Sequence, residues 1–129
     1  MATRIREKAT ARKNNADPRA YAIVKYVRMS PSKVRITLDT IRGKKVEEAM
    51  SILEFQTTSA SEVCLKLLKS AVANAENNKG LSRDNLIVDE CFVCPGPTLK
   101  RLDFRAKGRG NRILKRTCHI TIYVDAVKE

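Results

Sequence analysis

The chain has 129 residues, 43% of them hydrophobic, and a formal net charge of +12. That length suits one domain with a modest core, and that apolar content is too high for a wholly disordered basic tail. No apolar run reaches the roughly 20 residues needed to cross a bilayer, and MATRIREKATARKNN lacks the apolar segment of a secretory signal.

Charge is distributed unevenly. Residues 1–44 carry 12 basic and 3 acidic side chains, residues 45–98 carry 5 and 8, and residues 99–129 carry 9 and 3. A mildly acidic middle between two cationic ends is the pattern of a polyanion binder. Residues 1–20 show no apolar period and read as a basic flexible extension that orders on a polyanion, with a single domain over 21–129.

Tyr21 to Met29 reads as a strand rich in Val, Ile and Tyr. Both of its faces carry apolar residues, so the pattern does not say which is core. Ser30-Pro31 opens a helix, with Ser30 placed to accept from first-turn amides and Pro31 at the position that needs no N–H. Val34, Leu38 and Ile41 form its apolar stripe, and Gly43 ends it. Lys33, Arg35 and Arg42 point outward, and Arg42, Lys44 and Lys45 crowd the helix end, where the dipole and RNA both favour cations.

A second helix runs from Val46 to Phe55, with Val46, Ala49, Met50 and Leu53 at the spacing of one buried stripe. A third begins at Ser59, where Ser59 and Glu62 have the spacing of a capping box. Its stripe is Ala60, Cys64, Leu67, Leu68, Ala71 and Ala75, and Asn77-Asn78-Lys79-Gly80 stops it.

Leu86 to Val93 reads as a strand, and Pro95-Gly96-Pro97 marks a bulge or bend, since two amide donors are missing there. The return strand from Cys118 to Val124 alternates Ile120, Ile122 and Val124 against His119, Thr121 and Tyr123, giving one buried face. Between the two strands lies PTLKRLDFRAKGRGNRILKR, with eight cations and one acid. It reads as a long hairpin arm over about 95–117, its tip some 30–40 Å from the body at ~3.3 Å per residue. An isolated two-stranded ribbon is barely stable in water, so the arm needs a partner dense in negative charge.

The remaining chemistry is sparse. His119 is the only histidine, and no nucleophile–base–acid set is visible, so the chain reads as no enzyme. KGRGNR lacks the Lys-Ser/Thr ending of a phosphate-cradling loop. Cys91-x-x-Cys94 followed by Cys118-His119 raises zinc, but positions 91 and 94 of a regular strand face opposite sides, and packed thiols are the preferred reading. No metal and no cofactor is assigned. An architectural DNA-binding protein with a basic ribbon arm is the alternative, although the tip has only Ala106 as an apolar side chain, where such arms carry a larger wedge.

The segments RMSPSKVR, IRGKKVEEAMSIL, LLKSAVANAENN and GPTLKRLDFRAKGRGNRILKRTCHITIYV together resemble bacterial-type ribosomal protein L twenty-two of the large subunit, over about residues 21–126. Phe104 and Gly110 depart from the Pro and Ala usual there. The resemblance implies an α+β fold, three helices packed on a small three-stranded antiparallel sheet, with a long protruding β-hairpin. It implies a structural constituent of the large ribosomal subunit in the cytoplasm, or in an organelle's ribosome. Expected partners are large-subunit ribosomal RNA, neighbouring ribosomal proteins including L four, and the nascent peptide in the exit tunnel, with no membrane. The body residues expected to bind ribosomal RNA are Arg28, Ser30, Lys33, Arg35, Arg42, Lys44, Lys45 and His119. Those on the arm are Lys100, Arg101, Arg105, Lys107, Gly108, Arg109, Gly110, Arg112, Lys115 and Arg116. Leu99, Lys100, Arg101, Arg105 and Ala106, with Lys107 to Gly110, match the segment that forms the tunnel tip.

Overall fold

A computed structural model describes residues 2–15 and 17–127. Among the described residues the chain is α+β, with four α-helices and two antiparallel sheets of three and two strands. In chain order the elements are α1 (Ala2–Asn14), β1 (Ala20–Val27), α2 (Pro31–Asp39), α3 (Val46–Phe55), α4 (Ser59–Lys79), β2 (Leu86–Pro95), β3 (Leu99–Phe104), β4 (Gly110–Lys115) and β5 (Cys118–Ala126).

The fourth helix, α1, lies where the sequence analysis placed none. Ala, Arg, Lys and Glu are strong helix formers, and no apolar stripe is needed for local coiling. Without that stripe α1 packs on nothing: residues 3–15 are exposed throughout. A helix of 13 residues with no tertiary packing is marginal in water.

The body is built by α2, α3 and α4 against a sheet of order β1-β5-β2. Helix α4 lies on β1 and β5, α2 on β2, and α3 against α4. The stripes meet in one core that includes Val34, Leu38, Ile41, Leu53, Leu68 and Ile122. Helix α3 has the expected boundaries and buries the expected Val46, Ala49, Met50 and Leu53.

Pairing decides the face of β1. Ala20, Ala22 and Val24 lie opposite Val124, Ile122 and Ile120 of β5, so they turn inward, while Tyr21 and Ile23 turn out. A bulge between Val24 and Val27 then resets the alternation and returns Val27 to the core. Tyr26 sits in this bulge with φ +60°, a conformation that costs a bulky residue about 1–2 kcal/mol. His119 compensates. Its Nδ1 accepts from the Tyr26 amide at 2.9 Å, and the two rings meet edge to face at 4.8 Å.

Two expected caps do not form. Ser30 stands at the N-cap of α2 without a side-chain bond to its amides, and the N-cap of α4 is Thr58, one residue before the expected Ser59, likewise without one. The Ser59 capping box is absent because Ser59 is already the first helical residue, one position past the N-cap Thr58, and Glu62 pairs with Lys66 at 2.7 Å. Ser61 instead donates to the carbonyls of Gln56 and Thr58 and ties the α3–α4 loop. Gly80 takes positive φ directly after α4, as a stop signal requires, but α2 already ends at Asp39 with a right-handed Thr40, and Gly43 takes its positive φ later, in the turn that follows.

The two sheets are joined by a short unpaired stretch. Strand β2 extends to Pro95, paired with Cys118, and pairing resumes at Leu99 with Lys115. The gap is closed by Gly96 N–H donating to the Thr117 carbonyl at 2.9 Å and Thr117 Oγ1 donating to the Pro97 carbonyl at 2.6 Å. A Cβ on Gly96 would stand 2.5 Å from Thr117 Oγ1 and 3.2 Å from the His119 ring, so only glycine fits this joint.

Candidate nucleic-acid interface

Leu99 to Arg116 is an unbroken exposed run, including Leu102 at 65% and Phe104 at 82% exposure. The register pairs Leu99 with Lys115, Arg101 with Ile113, and Asp103 with Asn111 on one face. Lys100 pairs with Leu114, Leu102 with Arg112, and Phe104 with Gly110 on the other. Both faces therefore alternate cations with apolar side chains along the ribbon. That combination suits phosphates and base faces at once.

The tip reverses at Lys107 (φ +58°) and Gly108 (φ +69°), two consecutive left-handed residues. This is the geometry a tight two-residue hairpin demands, because it matches the twist of the strands. Arg105 donates to the Arg109 carbonyl at 2.7 Å and closes the loop. Arg105, Ala106, Lys107 and Arg109 are all exposed around this turn. Gly110 is extended, and a Cβ there would meet only Leu102 at an ordinary 3.6 Å.

The cations separate into two groups by what they touch. Arg42 donates to the Cys91 carbonyl at 3.0 Å and pairs with Asp39 at 3.0 Å. Lys44 pairs with Glu48 at 2.6 Å, and the Lys45 carbonyl accepts the α3 amide of Ala49. Helix α2 ends at Asp39, before these residues, so Arg42 and Lys44 are loop fasteners and not dipole caps, while the Lys45 side chain makes no ion pair with a carboxylate among the described residues. Among the described residues, by contrast, Arg28, Lys33, Arg35, Lys100, Arg101, Lys107, Arg109, Arg112, Lys115 and Arg116 make no ion pair with a carboxylate. Only Arg105 on the arm has one, with Asp103 at a loose 3.7 Å.

Part of the unpaired group is brought together at the arm's root. Arg28, Met29 and Ser30 share a groove with Leu114, Lys115 and Arg116. Arg28 and Ser30 also border a neighbouring cleft with Lys33, Gln56, Thr58 and Ser59. The starts of α2 and α4 open on this cleft with no side-chain cap on their amides. Gln56 Oε1 is buried beside it with no partner among the described residues. Arg35 lies on α2 outside both depressions, and Arg42, Lys44 and Lys45 lie at the far end of that helix.

Cys64, Cys91 and Cys118 are buried and Cys94 is exposed, so 91 and 94 do face opposite ways. Burial pushes the Cys64 thiol up to about 12, with the neighbouring thiols of Cys118 and Cys91 adding to it. Burial also raises Cys91 and Cys118, the nearby Arg42 partly opposing the rise at Cys91.

Arg19 carries no recognisable signal in the sequence. It bonds Asp17 and Asp89 at 2.6 Å and Glu90 at 3.1 Å, and its guanidinium lies 4.5 Å over the Tyr123 ring. These contacts fasten residues 17–19 to the sheet. The Arg19 side chain and amide together hold the Asp17 carboxyl down at about 2. The only hint in the sequence was an Arg two residues after an Asp, which no helix or strand pattern interprets.

No helix among the described residues is long and apolar enough to cross a membrane. The Ribosomal protein L22p/L17e family profile matches residues 22–125. The chain is 56% identical over 103 residues to the large ribosomal subunit protein uL22 of Acetivibrio thermocellus, covering 80% of this chain and 82% of that one. It is 57% identical over 105 residues to the protein of the same name from Clostridium beijerinckii, covering 81% and 95%. The match spans the body, the joint and the whole arm, and on that ground the chain belongs to the ribosomal protein L22p/L17e family.

Proposed function

We propose that this chain is a structural constituent of the large ribosomal subunit that binds its ribosomal RNA, with no catalytic role. The observation that carries this reading is the exposed run Leu99–Arg116, whose cations, Arg105 aside, lack carboxylate partners among the described residues. Charges so placed repel one another in the free protein, and phosphates relieve that repulsion while releasing counterions. Leu102 and Phe104, exposed between them, offer surfaces on which unpaired bases stack.

The groove at the arm's root extends the interface onto the body. A phosphate seated by Arg28 and Lys33 would meet uncapped amides of α2, and a ribose hydroxyl would satisfy Gln56 Oε1. Arg35 adds a cation on the same helix, and α1 presents Arg4, Arg6, Lys8, Arg12 and Lys13 for RNA to order. Arg42 and Lys44 serve the body first and reach RNA only with atoms left over from their internal bonds. His119 likewise has Nδ1 engaged by Tyr26 and offers Nε2. Following the family resemblance, the tip from Arg105 to Gly110 contributes to the wall of the exit tunnel beside ribosomal protein L four, facing the nascent peptide. The site of action is then the cytoplasm.

Removing residues 98–116 tests the reading. The expected result is a folded body whose affinity for ribosomal RNA falls by about three orders of magnitude at moderate salt, since several phosphate contacts are lost together. Affinity and salt slope equal to those of the full chain would overturn it.

A further inference from the structure

One surface of the body gathers carboxylates beside aromatic rings. The sheet covers its core with one face and leaves the other open. On the open face Tyr21, Tyr123 and Glu90 form one cross-strand row, and Ile23, Thr121 and Phe92 the next. Tyr21 and Ile23 are each 46% exposed and Phe92 is 37% exposed, around a Thr121 that they cover. The Tyr123 ring meets Tyr21 at 5.4 Å in a tilted pair and stacks with Phe92 at 6.3 Å. At one end of this aromatic patch stand Asp17, Asp89 and Glu90, three carboxylates around the single guanidinium of Arg19.

A surplus of negative charge repels RNA phosphates, so this face is unsuited to the partner that the arm takes. Aromatic rings rimmed by carboxylates instead match a cationic side chain, which gains from ring and carboxylate together. The protein displays that mode within itself, since Arg19 lies over Tyr123 while bonded to the three acids. A residue of the Val88–Glu90 bulge, Asp89, serves this cluster, because the bulge gives β2 one residue more than its partner strand. Backbone pairing is not what the face offers. The edge of β2 is bonded to Gly43 and Lys44, and the Tyr21 carbonyl on the β1 edge accepts from Asn74.

We infer that the open face of the β1-β5-β2 sheet docks a Lys/Arg-rich polypeptide segment of a neighbouring protein, with one of its guanidinium or ammonium groups lodged over Tyr21 or Phe92 and against Glu90. The inference rests on the chain residing in a large subunit, and its test separates the two.

The test places the photo-crosslinking residue p-benzoylphenylalanine at position 92, and in a second preparation at position 104, in purified assembled large subunits. The Phe92 probe is expected to join a protein, with the attachment mapped by mass spectrometry to a Lys/Arg-rich segment. The Phe104 probe is expected to join ribosomal RNA. Asp89→Lys with Glu90→Lys should lower the Phe92 cross-link at least about tenfold while sparing the one from Phe104. Glu90→Gln leaves the Arg19 bonds to Asp17 and Asp89 in place and should lower it a few-fold, which keeps the test decisive if charge reversal impairs folding. Attachment of the Phe92 probe to RNA, to a second copy of this chain or to an acidic segment overturns the inference, as does no attachment or indifference to Glu90→Gln. Failure of the Phe104 probe alone would strike the arm reading and leave the Phe92 result standing.

Discussion

The two antiparallel sheets of this molecule use the same backbone pattern for opposite ends. In the body, β5 alternates cleanly, its Ile120, Ile122 and Val124 fully buried under helices. In the arm, β3 and β4 carry Leu102, Ile113 and Leu114 at similar density, yet every one of them is exposed. Arg42 and Lys44 in the body's loop bind carboxylates or carbonyls of the body, whereas on the arm only Arg105 has a carboxylate and Arg101 only the carbonyl of its neighbour Lys100. A sheet closed by its own helices is stable by itself, whereas a ribbon that leaves its apolar and charged groups in water is completed by something else.

Deletion of the arm is the largest expected break in that contrast. Core truncation comes next. Leu68→Ala removes a fully buried side chain from α4 and should cost about 2–5 kcal/mol of unfolding free energy. Leu102→Ala on the arm should cost the isolated protein under about 0.5 kcal/mol. Urea titration of both variants checks the pair, and equal losses would mean that the arm packs in solution. At the joint, Gly96→Ala should destabilise by about 1–3 kcal/mol, because Thr117 must give up its bond to Pro97 to make room.

Paired and unpaired cations should also part in salt dependence. Arg112→Ala is expected to reduce the slope of log affinity against log salt by roughly 0.7–0.9, one phosphate contact, with stability unchanged. Arg42→Ala is expected to do the reverse, losing about 1 kcal/mol of stability through its bonds to Cys91 and Asp39. Alkylation sharpens the picture within the body. Iodoacetamide should modify Cys94 in the native chain and leave Cys64, Cys91 and Cys118 until it unfolds, since burial disfavours their thiolates.

The smallest effect concerns acid. Asp17 titrates near 2 in the folded chain against an ordinary 3.8, so its contribution is present above about 3.8 and fades as pH falls towards 2. Asp17→Asn should flatten that part of the stability profile. Cys64 works at the other extreme. Its thiol is raised from 9.0 to about 12, so its contribution is complete below 9.0 and lost as pH climbs towards 12.

Much of this was legible in the residues. Periodicity located α2, α3 and α4 and named their buried stripes, because a helix that must cover a core repeats its apolar positions. The charge of 98–116 announced the arm, because no body of this size can hold eight cations together. Local signals were less reliable where competing bonds existed. Ser59 and Glu62 have the letters of a capping box, yet the helix starts one residue early, with Thr58 as its N-cap, and Glu62 pairs with Lys66. Strand β1 offered two apolar faces, and the residues alone did not rank them.

What the sequence by itself determined is the set of body elements, most of the core and the sign of the partner, all of which follow from near-neighbour spacing and composition; helix α1, which has no apolar stripe, stayed outside that reading. What only the tertiary structure decided is where distant residues meet. Strand register turned Ala22 inward and left Tyr21 on an open face. The bulges set Tyr26 against His119 and Asp89 against Arg19. Those placements depend on contacts between segments some 70 to 90 residues apart, which local pattern does not encode.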